Sequence, residues 1–118
     1  MTEELKKKII ENLQWLGDQT GNTVKIIDRL STNKGNYDRH FTRTSQFTFI
    51  MEHFGVRTSG GIGIIYGENV HFEFQADIIK RIERSENELE FESDLDNKTS
   101  RLIKFKIEKP GDNKVHNG

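Results

Sequence analysis

The chain contains no cysteine, which excludes a disulfide scaffold, a thiolate metal centre and a cysteine nucleophile. Its single proline, Pro110, lies in "KPGDNKVHNG", a segment with almost nothing apolar, so residues 109–118 are expected to form a disordered tail. No stretch approaches the roughly 18 apolar residues of a membrane span. The opening "MTEELKKKIIENLQWLG" lacks the continuous apolar run of a secretory leader. The expectation is a soluble cytoplasmic protein with no membrane partner. Charge of one sign is also missing: the formal net charge is −1, which provides no global field for a long polyanion.

The length of 118 residues fits one domain, expected over 1–108. Apolar residues make up 32% and charged residues 31%, which is lean for a globule and implies a small core with a very wet surface. Eight phenylalanines partly compensate, because each buried ring removes a large apolar area from water. Charge is unevenly spread. Lys34, Arg39, Arg43 and Arg57 outnumber Asp38 and Glu52, whereas Glu83, Glu86, Glu88, Glu90, Glu92, Asp94 and Asp96 face Arg84 alone.

Leu5, Ile9, Leu13 and Leu16 recur at helical spacing and predict a helix over Thr2 to Leu16. Thr2 is its cap, Glu3 and Glu4 suit its positive end, and Gly17 suits its stop. Ile10 widens the apolar stripe and Trp15 stands outside it. The rest reads as short strands separated by turn signals. "TVKIIDRL" places Val24 and Ile26 on one face, and Ser31 to Asn36 is a loop. "SGG" at 59–61 is a break. "IGIIY" and "VHFEF" flank "GEN" as a hairpin, with Val70, Phe72 and Phe74 alternating against His71, Glu73 and Gln75. A strand around Ile79, then "LEFES" and "RLIKFKIE" joined by the turn "DLDNKT", complete the pattern. The fold expected is α+β: an N-terminal helix packed on a strongly bent antiparallel sheet or small β-barrel of about six or seven strands.

"SQFTFIMEHFG" fits two periods. Phe47, Phe49 and Met51 alternate as in a strand, while Phe47, Ile50, Met51 and Phe54 recur as in a helix capped by Ser45 and ended by Gly55. Its Thr, Phe and Ile content leans to strand.

The densest chemistry lies in "YDRHFTRTSQFTF". Tyr37, Arg39, Phe41 and Arg43 share parity, so a regular strand would present rings and guanidinium groups on one face. Arginine suits phosphate or carboxylate, and rings suit stacking. Against this stands an ordinary half-buried strand with a wet face. The leading expectation is a non-catalytic protein that holds a compact anion, a nucleotide or short nucleic-acid segment. Arg39, Arg43 and Arg57 would grip it, with Tyr37 and Phe41 stacking. The alternative is a protein-binding regulator or inhibitor that uses an acidic β face of Glu88, Glu90 and Glu92, with Trp15 as a contact on the helix. A third reading is a hydrolase using His53 or His71 with a carboxylate. Exposed strand edges are compatible with homo-oligomerisation.

No cofactor or metal is indicated. The four histidines lack ligand spacing. "TSGGIGIIYG" precedes a β-rich run, not a phosphate-binding helix, and suits bulges and bends. "DLDNKT" lacks the Gly and Glu of a calcium loop.

Overall fold

The computed structural model describes residues 1–57 and 61–108; the expected tail at 109–118 and most of the "SGG" break lie outside them. Helix α1 spans Glu3–Gly17. The Thr2 hydroxyl accepts a hydrogen bond from the Leu5 N–H at 3.1 Å, and Glu3 and Glu4 occupy the first turn. The stripe of Ile9, Leu13 and Leu16 is buried, with Leu5 packed against it. Ile10 does not widen that stripe: it is 57% exposed.

Seven strands follow: β1 Thr23–Ser31, β2 Thr42–Arg57, β3 Ile62–Gly67, β4 Val70–Gln75, β5 Ile79–Arg84, β6 Glu88–Asp94 and β7 Ser100–Glu108, with a single 3-10 turn Ala76–Ile78 between β4 and β5. All pairings are antiparallel, in the order β4-β3-β2-β1-β7-β6-β5. The fold is thus a helix plus a seven-stranded antiparallel sheet. It is not closed into a barrel, because β4 and β5 remain its two edges.

The ambiguous segment is strand, and belongs to the longest strand of the sheet. β1 pairs with β2 from Thr23 opposite Ile50 to Ser31 opposite Thr42. Beyond Ile50, β2 pairs with β3 instead, after an irregularity between Met51 and His53 that leaves Glu52 as the extra residue. Two ladders outweigh the local helical period here, because strand pairing satisfies the backbone along the whole segment.

The expected strand face at Tyr37 to Arg43 does not form: residues 37–41 are loop and turn, and β2 starts at Thr42. Side chains capture the backbone before it can pair. Asn36 Oδ1 accepts from the Asp38 N–H at 2.9 Å, and Asp38 Oδ1 accepts from the His40 N–H at 3.0 Å.

The core lies between the inner face of the sheet and α1. Phe74 of β4 packs on Phe91 of β6 and Phe105 of β7, with ring centroids 5.0 and 5.9 Å apart, and Phe72 reaches Phe105 at 6.2 Å. Gly63 makes room for this cluster, since a β-carbon there would collide with the Phe74 ring. Each fully buried ring contributes roughly 1.5–3 kcal/mol.

Candidate functional site

Tyr37, Arg39, Phe41 and Arg43 do not share a strand face, and Arg57 stands at the opposite end of β2 from Arg43. Tyr37 turns toward the sheet, where its hydroxyl donates to Glu92 Oε2 at 2.8 Å and lies 2.9 Å from Ser100 Oγ. The same Ser100 hydroxyl accepts from the Gly35 N–H at 2.9 Å. Tyr37 therefore pins the loop between β1 and β2 onto β6 and β7. Burial pushes its phenol up to about 12, aided by the carboxylates of Glu92 and Asp94 and opposed by the hydrogen bond with Ser100. Arg39 and Phe41 are exposed in the turn. Arg43 is the second residue of β2, opposite Leu30, and Arg57 ends the strand, opposite Ile62. The two lie fourteen residues apart in sequence, a contour of roughly 45 Å along a strand. Arg57 is held by Glu73 at 3.0 Å.

The acidic run is not a bare acidic face. Along β6, Leu89, Phe91 and Ser93 point inward and are buried, which leaves Glu88, Glu90 and Glu92 on the opposite face. Cations from neighbouring strands interleave with them. Glu88 meets Lys106 at 3.8 Å, Glu90 meets Arg81 at 3.3 Å and Lys104 at 3.8 Å, and Glu92 meets Arg81 at 3.5 Å. At the end of the row, Asp94 holds Lys80 at 2.9 Å and Lys34 at 3.2 Å. Burial raises the Asp94 carboxyl, but these two ammonium groups outweigh it and leave the group below the ordinary range. Each exposed pair is worth little, yet together they neutralise the field a partner would feel.

Trp15 is half-buried and braces the helix against β5. The Arg84 guanidinium lies 5.0 Å from its ring and donates to Asn12 Oδ1 at 3.1 Å. His53 and His71 share the outer face of β2, β3 and β4 with Tyr66, which lies 5.2 Å from each ring. His71 Nε2 and the Arg57 guanidinium both lie 3.0 Å from Glu73 Oε1. Among the described residues no three His, Asp or Glu side chains are grouped to hold a metal.

A concave apolar feature among the described residues lies elsewhere, between α1 and the second half of β2. Ile9, Ile10, Leu13 and Gly17 form one wall and Phe54 and Val56 the other, enclosing about 460 Å³. The lining is mostly apolar, and its outer rim is open: Ile10 is 57% and Val56 45% exposed. A β-carbon on Gly17 would stand 3.1 Å from Phe54 Cδ2, so helix and strand touch there. The connection from α1 to β1 is tied to β2 just before Phe54, as Gly21 N–H donates to Met51 O at 2.8 Å and Met51 N–H to Asn22 O at 3.0 Å. Sequence reasoning gave Ile10 to the apolar stripe and did not single out Val56. The signal in the sequence was that Ile10 lies off the line from Leu5 to Leu16, apolar with no core role.

No family model matches the chain, and neither the curated proteins nor the solved structures include a match to it. Among the described residues no helix is long and apolar enough to cross a membrane.

Proposed function

We propose that this protein is a non-catalytic binding module that takes a segment of another polypeptide into the groove between α1 and β2. The observation that carries this reading is the groove itself, an open apolar cleft with two aliphatic side chains exposed on its rim. Exposed aliphatic residues that border a concave apolar surface mark interaction sites. The separation of Arg43 from Arg57 along β2 and the pairing of Arg57 with Glu73 favour this reading over an anion pocket, and the paired state of Glu88, Glu90 and Glu92 favours it over an acidic docking face. A strongly bent sheet would fit the same picture, and the contacts of rings on β4 with rings on β6 and β7 support it.

The test is selection of a displayed random-peptide library on the wild-type chain, with counter-selection on an Ile10→Glu, Val56→Glu double variant. Both positions are exposed, so the variant keeps its circular dichroism and thermal midpoint. Peptides that bind the wild type and not the variant are expected. Recovery only of peptides that bind both forms equally would refute the proposal.

A further inference from the structure

Register decides which backbone groups face the groove. Gly67 and Val70 flank a two-residue hairpin connection and are opposite each other, so they form a hydrogen-bonded pair. Alternation along β3 then directs Ile65 and Gly63 to β4, and Tyr66, Ile64 and Ile62 to β2. The β2 partners of those three are His53, Gly55 and Arg57. The N–H and C=O groups of Phe54 and Val56 therefore point the other way, away from β3. On that side β1 begins only at Thr23, opposite Ile50. The last backbone partners before the groove are those Gly21 and Asn22 give to Met51. Among the described residues, no backbone hydrogen bond outside the ladders reaches Phe54 or Val56. The same two residues turn their side chains into the groove.

We infer that the occupant of the groove is an extended segment of a partner protein, added as a strand to the free edge of β2 beside α1. This rests on the reading of the groove as a polypeptide-binding site and specifies the partner's conformation. An unpaired edge offers donors and acceptors at alternate residues, which an extended backbone matches and a helix cannot, because a helix has spent its own groups internally. Side chains at every second position of the added strand would enter the cleft beside Phe54 and Val56 and meet Ile9, Ile10 and Leu13. Charge along the cleft has one sign. Among the described residues, Asp18 is the one charged residue of the lining. The complementary segment carries alternating apolar residues and a basic residue near Asp18.

The experiment takes peptides that pass the counter-selection and measures their affinity for the full chain with each backbone amide N-methylated in turn. Amide-resolved hydrogen exchange is recorded with and without peptide. Strand addition predicts that methylation at every second position weakens binding by about tenfold or more, while the intervening positions tolerate it. It also predicts that peptide slows exchange at Phe54 and Val56. Peptides with apolar residues at helical spacing and no alternate-position effect would overturn the strand inference while leaving the groove reading intact. Absence of any groove-dependent peptide removes both. A chain that self-associates through this edge, with the dimer abolished by Val56→Glu, would assign the groove to a second copy and overturn the partner inference.

Discussion

Arg101 grips Asp28 through two parallel hydrogen bonds of 2.9 Å, from Nε to Oδ1 and from Nη2 to Oδ2. The pair joins β7 to β1, and the Arg101 guanidinium carbon also lies 5.4 Å from the centre of the Phe72 ring on β4. Both side chains are mostly buried, 22% and 19% exposed. Removing one partner strands the other. Asp28→Ala is expected to cost about 2 kcal/mol, below the range for a fully buried pair because some water reaches both groups. The double variant Asp28→Leu, Arg101→Met should recover more than half of that loss. Chemical denaturation of the four forms measures it; additive losses in the double variant would show that the two residues do not act as a pair.

Gly63 is expected to resist replacement by any residue with a β-carbon. A methyl group there meets the ring of Phe74, which is itself locked between Phe91 and Phe105. Gly63→Ala should destabilise by about 1–3 kcal/mol or more. A companion Phe74→Leu change, which shortens the obstructing side chain, should offset part of that cost. A thermal midpoint unchanged by Gly63→Ala would contradict the packing described.

Tyr37 should make the fold sensitive to alkali. Its folded value of about 12 lies above the ordinary value of 10.0, so the neutral phenol is the form the fold prefers. The stabilisation is complete below pH 10 and is lost as pH rises toward 12. After allowance for partial solvent access it is worth on the order of 1–2 kcal/mol. Tyr37→Phe should be less stable than wild type at neutral pH, with a difference that shrinks between pH 10 and 12. Parallel denaturation curves across that interval would argue that the phenol proton has no part in holding the loop.

Elements written in local spacing are legible in the sequence alone. The α1 stripe, the Thr2 cap, the hairpin around Glu68 and Asn69, and the alternation of β6 and β7 all depend on neighbours within a few residues. What sequence left open depends on partners distant along the chain. Phe47, Ile50, Met51 and Phe54 satisfied both periods, and pairing with β1 and β3 decided between them. The acidity of Glu88, Glu90 and Glu92 was real in sequence, but Arg81, Lys104 and Lys106 reach it only through strand order. Tyr37 and Arg39 left the expected strand because Asn36 and Asp38 bonded the local backbone first. The groove is a register effect: it exists because β1 starts opposite Ile50 and leaves the rest of β2 uncovered, which no local pattern encodes.

The rim of the groove should be dispensable for folding. Ile10→Glu and Val56→Glu remove exposed aliphatic groups, so each is expected to change stability by less than about 0.5 kcal/mol. Each should also reduce the fluorescence of an apolar dye bound by the wild-type chain. A cooperative loss of structure in either variant would mean that these side chains complete the core instead of facing a partner.

Amide hydrogen exchange on the chain by itself tests the free edge of β2 most directly, without any knowledge of the partner. The amides of His53, Gly55 and Arg57 should exchange slowly, because they bond to β3, and those of Phe54 and Val56 should exchange markedly faster. Equal, slow exchange at all five would show that the edge is already covered and would contradict the account.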